Sequence, residues 1–316
     1  AAIKAPHFVF YVRDQLEEMF DPQLVESGGL RVTTTLDYEL QEEAQKVVAE
    51  EVEKVKDLDV GNGAALIMDS ESGEILSMVG SKDFHAEDYD GQVNVTMSLR
   101  QPGSTIKPVT YAAAFAKGYT PATMLMDTRT EFPGGAGNPA YIPVNYDGQY
   151  RGPVSLRAAL GSSLNVPAVK LLGLVGVEDM LQLAYDMGLN TLEPTKENMS
   201  RFGLAVTLGG GEVRLVDLVT AYSAFSNGGT RVEPVSVLKV EDRDGKVLYE
   251  HRPVKGKQVL DEKVAFLMNS VLSDNNARLM TFGANSLLNM GGRSVAVKTG
   301  TTNDRRDNWT IGWSDR

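Results

Sequence analysis

The feature that most constrains how this chain folds is residues 100–108, Arg-Gln-Pro-Gly-Ser-Thr-Ile-Lys-Pro. The Pro-Gly pair predicts a turn, and the apolar run at 111–116 predicts that a helix continues from it. Pro108 lacks the N–H that would bond the Ser104 carbonyl, a loss that a helix tolerates only near its start. We therefore expect Ser104 and Lys107 to lie one turn apart at a helix N-terminus.

The Ser104–Lys107 pair has two interpretations. A hydroxyl at a helix N-terminus lies among free N–H groups and the positive end of the helix dipole, where negative charge on a substrate oxygen is stabilised. An amine one turn away can take the proton of the hydroxyl if burial or a neighbouring cation lowers its pKa. Because Ser-x-x-Lys arises by chance about once in a chain of this size, the pair alone favours an N-cap serine followed by a solvated lysine.

Composition excludes several kinds of chemistry. The 316-residue chain has no cysteine, which excludes a disulfide scaffold, thiolate metal sites and a cysteine nucleophile. Its net charge of −11 argues against a broad nucleic-acid-binding surface. No apolar run approaches the roughly 18–20 residues of a membrane span. The three histidines lie outside any His-Glu-x-x-His motif, and there is no Gly-x-Ser-x-Gly.

Hydrophobic patterning predicts both helices and strands and divides the chain into two regions. Residues 1–60 predict an N-terminal linker region made of a helix at 7–20, a strand at 30–36 and an acidic amphipathic helix at 38–56. Residues 61–316 are predicted to form the second domain.

The second domain opens with a predicted hairpin, 63–69 and 74–80, whose apolar first strand we expect to be buried on both faces. Residues 118–153 are rich in Gly, Pro, Tyr and Asn without a period, and predict a long surface excursion. The remaining patterns predict helices at 156–160, 166–174, 177–187, 215–225 and 262–272, and strands at 235–240, 246–250, 293–301 and 308–313.

A second motif, Ser163-Leu164-Asn165, is expected at a junction between two helices. Ser163 can pass a proton between the lysine and a leaving or entering nitrogen. The amide of Asn165 can hold both a substrate amide and the Lys107 side chain. A literal Ser-Asp-Asn at 273–275 competes with this motif, but it falls at the end of a predicted helix, so we favour Ser163.

A third motif, Lys298-Thr299-Gly300-Thr301, ends a predicted strand. Lys298 is a fixed cation that helps to keep the first lysine neutral and attracts a carboxylate, which the hydroxyls of Thr299 and Thr301 also suit. Gly300 would let a substrate backbone approach the strand closely. The N–H groups of Ser104 and Thr301 can form an oxyanion hole.

Together and in this order, the three motifs resemble those of the transpeptidase domain of class A (bifunctional) penicillin-binding proteins, which cross-link peptidoglycan. Further matching stretches run through the chain at 29–37, 100–104, 159–168, 221–229 and 297–304. The resemblance implies an α+β, serine β-lactamase/penicillin-binding transpeptidase-like fold, in which helices flank an antiparallel sheet and an all-helical subdomain is present. It implies no metal and no cofactor.

The resemblance also implies the chemistry. Ser104 attacks the carbonyl between the two terminal D-alanines of a stem peptide, Lys107 is the general base, and D-alanine leaves. An amine of a neighbouring stem peptide then resolves the acyl-enzyme and forms a cross-link. The expected partners are stem peptides and β-lactam antibiotics, which imitate D-Ala-D-Ala, at the extracytoplasmic face of the bacterial cytoplasmic membrane.

The sequence departs from the family pattern in two places. It lacks the upstream glycosyltransferase domain and membrane anchor, so we expect membrane association only through such a missing anchor. It also stops after one strand beyond Lys-Thr-Gly, where the family has a further strand and a closing helix. Because an unpaired interior sheet edge is costly, we predict that residues 61–316 are a C-terminally truncated transpeptidase domain.

Two alternatives keep the same nucleophile. A serine β-lactamase or D,D-carboxypeptidase would use water as the acceptor; Glu193-Pro194 with Asn198 faintly resembles the deacylating loop of a class A β-lactamase, but the Asn spacing differs by one. A non-catalytic β-lactam-sensing domain would acylate Ser104 without transferring the acyl group.

Overall fold

The computed structural model describes residues 3–87, 89–134, 139–302 and 306–314. Its α-helices are α1 (Pro6–Met19), α2 (Pro22–Ser27), α3 (Tyr38–Lys54), α4 (Lys107–Ala116), α5 (Leu156–Gly161), α6 (Asn165–Val175), α7 (Val177–Asp186), α8 (Lys196–Arg201), α9 (Leu215–Ser226), α10 (Glu262–Leu272) and α11 (Leu279–Phe282). Its strands are β1 (Arg31–Thr34), β2 (Ala65–Met68), β3 (Ile75–Val79), β4 (Met124–Asp127), β5 (Gly152–Ser155), β6 (Thr230–Arg231), β7 (Val237–Glu241), β8 (Val247–Glu250), β9 (Lys257–Gln258), β10 (Val295–Thr301) and β11 (Asn308–Ser314). No helix within these ranges has both the length and the apolar character needed to cross a membrane.

The chain divides into two compact units. The first comprises residues 1–99, 214–220 and 232–256, and the second comprises 100–213, 221–231 and 257–316. The domain boundary predicted at residue 60 stays a prediction. The predicted long helices and the two predicted hairpins are confirmed to within a few residues.

The first unit packs α1 onto antiparallel strands. β7 lies between β1 and β8, and β2 pairs with β3. Phe8, Val12 and Leu16 recur at helical spacing and are buried with Ile75 and Met78 of β3 in one apolar cluster. Asp21 follows the end of α1 and caps α2, because its carboxylate accepts a hydrogen bond from the Gln23 N–H.

The prediction that the first strand of the hairpin 63–80 is the buried one is wrong: the second strand is buried instead. β2 is only half-buried, and Ile67 is 36% exposed, whereas four of the five residues of β3 are buried. Both strands are apolar, so local sequence does not distinguish them. β3 receives the apolar face of α1, and this tertiary contact decides which strand is inside.

The second unit is built around α4. Every residue of this helix from Lys107 to Phe115 is buried, and α6, α7 and α10 pack against it. A helix that is mostly apolar and buried on all sides is expected at the centre of a fold. The antiparallel pair β10–β11 lies beside it, and β10 contacts both α10 and the 3₁₀ turn Gly103–Ile106 that leads into α4.

Most of the described residues of the predicted surface excursion at 118–153 are exposed, but the prediction missed a strand pair and two buried polar residues; residues 135–138 lie outside the described residues. The two ends of the segment form the antiparallel pair β4–β5, with Met124 opposite Ser155 and Asp127 opposite Gly152. Asp127 is fully buried and Asn145 is 3% exposed. The strands were missed because each has four residues and neither alternates in hydrophobicity, so the pairing that defines them leaves no local period.

Candidate active site

Ser104 lies on the 3₁₀ turn Gly103–Ile106, immediately before α4 begins at Lys107. A 3₁₀ turn has three residues per turn, so the side chains at i and i+3 lie one above the other. The Lys107 N–H bonds the Ser104 carbonyl, and Pro108 occupies the first turn of α4, as predicted. Within the described residues the Ser104 hydroxyl has no hydrogen bond, and the half-buried serine lines a cleft.

Two glycines let β10 lie against the turn that carries Ser104. Gly103 has φ of +55°, and a Cβ added there would lie 2.5 Å from the Thr301 carbonyl oxygen. A Cβ added at Gly300 would lie 2.7 Å from the Pro102 carbonyl oxygen. The sequence predicted that Gly300 lets a substrate backbone approach the strand closely. The structure shows instead that its missing side chain makes room for the serine turn.

Lys107 is fully buried and contacts two residues of the second motif. Its Nζ donates to the Ser163 carbonyl at 2.7 Å and to Asn165 Oδ1 at 2.8 Å, and lies 3.4 Å from Ser163 Oγ. Burial lowers the pKa of Lys107 well below its ordinary value, and the charge of Lys298 lowers it further. A neutral amine can make both short bonds with its two hydrogens and still keep a lone pair for a proton.

Lys298 places a second amine beside Ser163. Its Nζ donates to Ser163 Oγ at 2.8 Å and to the Thr299 carbonyl at 2.7 Å. Burial, and then the positive charge of Arg278, lower the pKa of Lys298 to about 7. Two buried ammonium groups on one hydroxyl repel each other, so the arrangement favours a neutral Lys107 beside a charged Lys298.

Ser163 is held in a conformation that few residues other than glycine adopt. Its φ is +56°, at the junction between α5 and α6. The preceding Ser162 anchors the junction on both sides: its hydroxyl donates to the Ala277 carbonyl at 2.7 Å, and its carbonyl accepts from Thr281 Oγ1 at 2.7 Å. Such backbone strain costs about 1–3 kcal/mol and persists where surrounding contacts fix it, often at active sites.

Asn165 is the first residue of α6. Its side-chain oxygen accepts the bond from Lys107, and its Nδ2 donates to the Val144 carbonyl at 2.8 Å. The predicted contact with Lys107 is therefore present. The contact with Val144 was not predicted, and it fixes which way the amide points.

The cleft has a volume of about 540 Å³ and lies entirely within the second unit. All the predicted site residues except the two lysines line it, and both lysines reach it through their bonds to Ser163. The sequence did not predict further lining residues from the 118–153 segment and from α11: Asn145, Tyr146, Asp147, Arg151, Met280, Thr281 and Phe282. Their order along the chain carries no periodic signal that could have identified them.

The competing Ser-Asp-Asn at 273–275 has structural contacts instead. Ser273 follows the last turn of α10, and its hydroxyl donates to the Asn269 carbonyl at 2.7 Å. Asp274 forms an ion pair with Arg157 at 3.1 Å. None of the three residues lines the cleft.

A family model described as penicillin binding protein transpeptidase domain matches residues 63–315. Penicillin-binding protein 2D of Bacillus subtilis (strain 168) is 34% identical over 321 residues, which cover 99% of this chain and 44% of that protein. Penicillin-binding protein 1A of Neisseria lactamica is 34% identical over 257 residues, which cover 80% of this chain and 31% of that protein. The chain thus spans less than half the length of either relative.

Solved structures share the fold. Penicillin-binding protein 1A from Haemophilus influenzae superimposes with a TM-score of 0.83 at 21% identity, over 98% of this chain and 64% of that chain. PonA1 from Mycobacterium tuberculosis in complex with penicillin V gives a TM-score of 0.78 at 22% identity, over 98% of this chain and 82% of that chain. These likenesses confirm the predicted α+β transpeptidase-like fold.

Proposed function

The chain belongs to the penicillin-binding protein transpeptidase family, and we propose that its cleft cross-links peptidoglycan stem peptides through an acyl-enzyme on Ser104. One observation carries this proposal. Lys107, one turn from Ser104, is a fully buried amine whose pKa is lowered and whose two short hydrogen bonds go to oxygen acceptors. That is the environment a lysine needs in order to act as a base at neutral pH.

In the first half-reaction, Ser104 Oγ attacks the carbonyl carbon between the two terminal D-alanines, and its proton passes to Lys107 Nζ. The C–N bond then breaks, and the departing D-alanine nitrogen takes up a proton. Ser163 Oγ lies 3.4 Å from Lys107 Nζ and 2.8 Å from Lys298 Nζ, so we assign it the transfer of that proton. The acyl group stays on Ser104 as an ester.

In the second half-reaction, an amine of a neighbouring stem peptide attacks the ester and gives up a proton along the same path. The ester C–O bond breaks, the new amide is the cross-link, and Ser104 regains its proton. We assign the terminal carboxylate of the donor peptide to Lys298, Thr299 and Thr301, and the oxyanion to the N–H groups of Ser104 and Thr301. We place the reaction at the extracytoplasmic face of the bacterial cytoplasmic membrane.

Water is a poor acceptor in this cleft. Among the described lining residues the only carboxylate is that of Asp147. Its hydrogen bonds with Arg151, the shorter at 2.5 Å, lower the pKa of Asp147 to about 2, which makes it a weak base. Asn198 of the suggested deacylating loop donates its Nδ2 to the Thr191 and Glu193 carbonyls, and neither Glu193 nor Asn198 lines the cleft.

We therefore expect fluorescent penicillin to label the chain once per molecule, in a burst followed by slow release. Burst amplitude and steady-state release, followed by fluorescence and intact mass, check this expectation. Rapid turnover would instead identify a β-lactamase. Cross-linking of lipid-linked substrate by a full-length version separates a transpeptidase from a sensing domain, because a sensing domain would acylate without forming dimeric peptides.

A further inference from the structure

The N-terminus of α6 is capped from a distant part of the chain. Helices commonly begin with a polar N-cap side chain, but Leu164 occupies that position and makes no side-chain bond. The side-chain oxygen of Asn145 accepts hydrogen bonds from the Asn165 N–H at 2.8 Å and the Val166 N–H at 3.2 Å. Asn145 thus satisfies two of the free donors with which α6 begins.

Asn145 is itself fixed by a buried carboxylate. Its Nδ2 lies 2.9 Å from both oxygens of Asp127 and donates to the Gln149 carbonyl at 2.7 Å. Asp127 also accepts from the Arg151 N–H at 3.0 Å, which gives this fully buried carboxyl group a further donor. A fully buried carboxylate is costly unless hydrogen bonds compensate it, so this network permits little freedom.

Val144 and Asn145 together hold the side chain and the backbone of Asn165. The Val144 carbonyl accepts from Asn165 Nδ2, while Asn145 holds the backbone N–H of Asn165. The remaining side-chain oxygen points to Lys107 Nζ. Both short acceptors of Lys107, the Ser163 carbonyl and Asn165 Oδ1, therefore belong to the segment at which this cap acts.

We propose that Asn145, fixed by Asp127, is a positioning residue for acyl transfer: by capping α6 it keeps Asn165 oriented to accept from Lys107 Nζ, and so fixes the amine that takes the proton of Ser104. This inference rests on the proposed function. Asn145 acts through Asn165 and does not move a proton. Loss of the cap should therefore slow the chemical step more than it weakens penicillin binding.

The test measures acylation of the purified chain by fluorescent penicillin and separates the maximal rate from the half-saturating concentration. Asn145→Ala is expected to lower the maximal rate by up to about 100-fold, the loss that a misplacement of about 1 Å can cause. Asn198→Ala is the matched control, because it removes an amide that bridges two carbonyls of the same unit outside the cleft. It should leave the maximal rate unchanged.

If Asn145→Ala does not fold, a second test exchanges the two side chains, Asn145→Asp with Asp127→Asn, and keeps the net charge of the pair. Asn145→Asp alone places two carboxylates face to face, and should lose rate. Adding Asp127→Asn restores a donor opposite an acceptor and still gives the Arg151 N–H a partner, although the Gln149 carbonyl stays without its donor. The double variant should therefore recover part of the rate that Asn145→Asp loses.

Equal maximal rates for Asn145→Ala and wild type, or a double variant no faster than Asn145→Asp, would overturn the positioning role. Failure of the wild type to label at all would instead overturn the proposed function.

Discussion

Replacing Ser104 with alanine is expected to abolish covalent labelling by fluorescent penicillin. The acyl ester needs an oxygen nucleophile, and Ser104 presents its hydroxyl at the cleft without a hydrogen bond to any described residue. The substitution should cost little stability, within about 0.5 kcal/mol, because it breaks no described contact. Labelling followed by gel fluorescence and intact mass, together with thermal unfolding, measures both effects.

Ser163→Ala is the informative control, because Ser163 is a second hydroxyl in the same cleft and lies between two amines. In the proposed mechanism it transfers protons, so Ser163→Ala should label slowly but still form the adduct. Labelling that survives in Ser104→Ala and disappears in Ser163→Ala would reassign the nucleophile to Ser163.

Replacing Lys107 with methionine is expected to slow acylation by about 10²–10⁴-fold, the usual contribution of a positioned base. Methionine keeps much of the buried stem and removes the amine. Lys170→Met is the matched control: Lys170 lies on α6 and donates to the Met126 carbonyl at 2.5 Å, outside the cleft. It should acylate at the wild-type rate, and the ratio of the two rates isolates the effect of the buried amine.

The pH dependence of the same rate tests which lysine is neutral. Because burial and the charge of Lys298 lower the pKa of Lys107, its amine loses its proton at a lower pH than an ordinary lysine, and acylation should fall on acidification as that amine takes up a proton. Lys298 must stay charged, and its pKa is lowered to about 7, so the rate should fall again above this value. Lys107→Met should lose the acid limb. A Lys107→Met rate within a few-fold of wild type, with an unchanged profile, would remove Lys107 from the mechanism.

The sequence predicts those parts of the site whose conformation is set by neighbouring residues along the chain. A Pro-Gly turn followed by an apolar run defines the entry to α4, and the strand that carries Lys298 has four β-branched residues among its seven. The sequence predicted that Lys107 can take the serine proton only if burial or a neighbouring cation lowers the pKa of its amine. Because α4 is buried from Lys107 to Phe115, the structure meets that condition.

The parts that the sequence does not predict depend on tertiary contacts. Asn145 reaches α6 across twenty positions of the chain, and its neighbourhood shows only the Gly and Pro content of a loop. The close approach of Gly300 to the serine turn is likewise invisible until β10 is placed. Hydrophobic periodicity reports which face of an element is buried, but it does not report which distant side chain will cap it.

The most direct test of the central claim is the position of the penicillin adduct on the wild-type chain. Trypsin cuts after Arg100 but not at Lys107, which precedes proline, so Ser104 falls in the peptide 101–117 and Ser163 in a different peptide, 158–170. We predict a single adduct, fragmented by tandem mass spectrometry to Ser104. An adduct on the peptide 158–170, or penicillin bound without a covalent bond, would contradict the account.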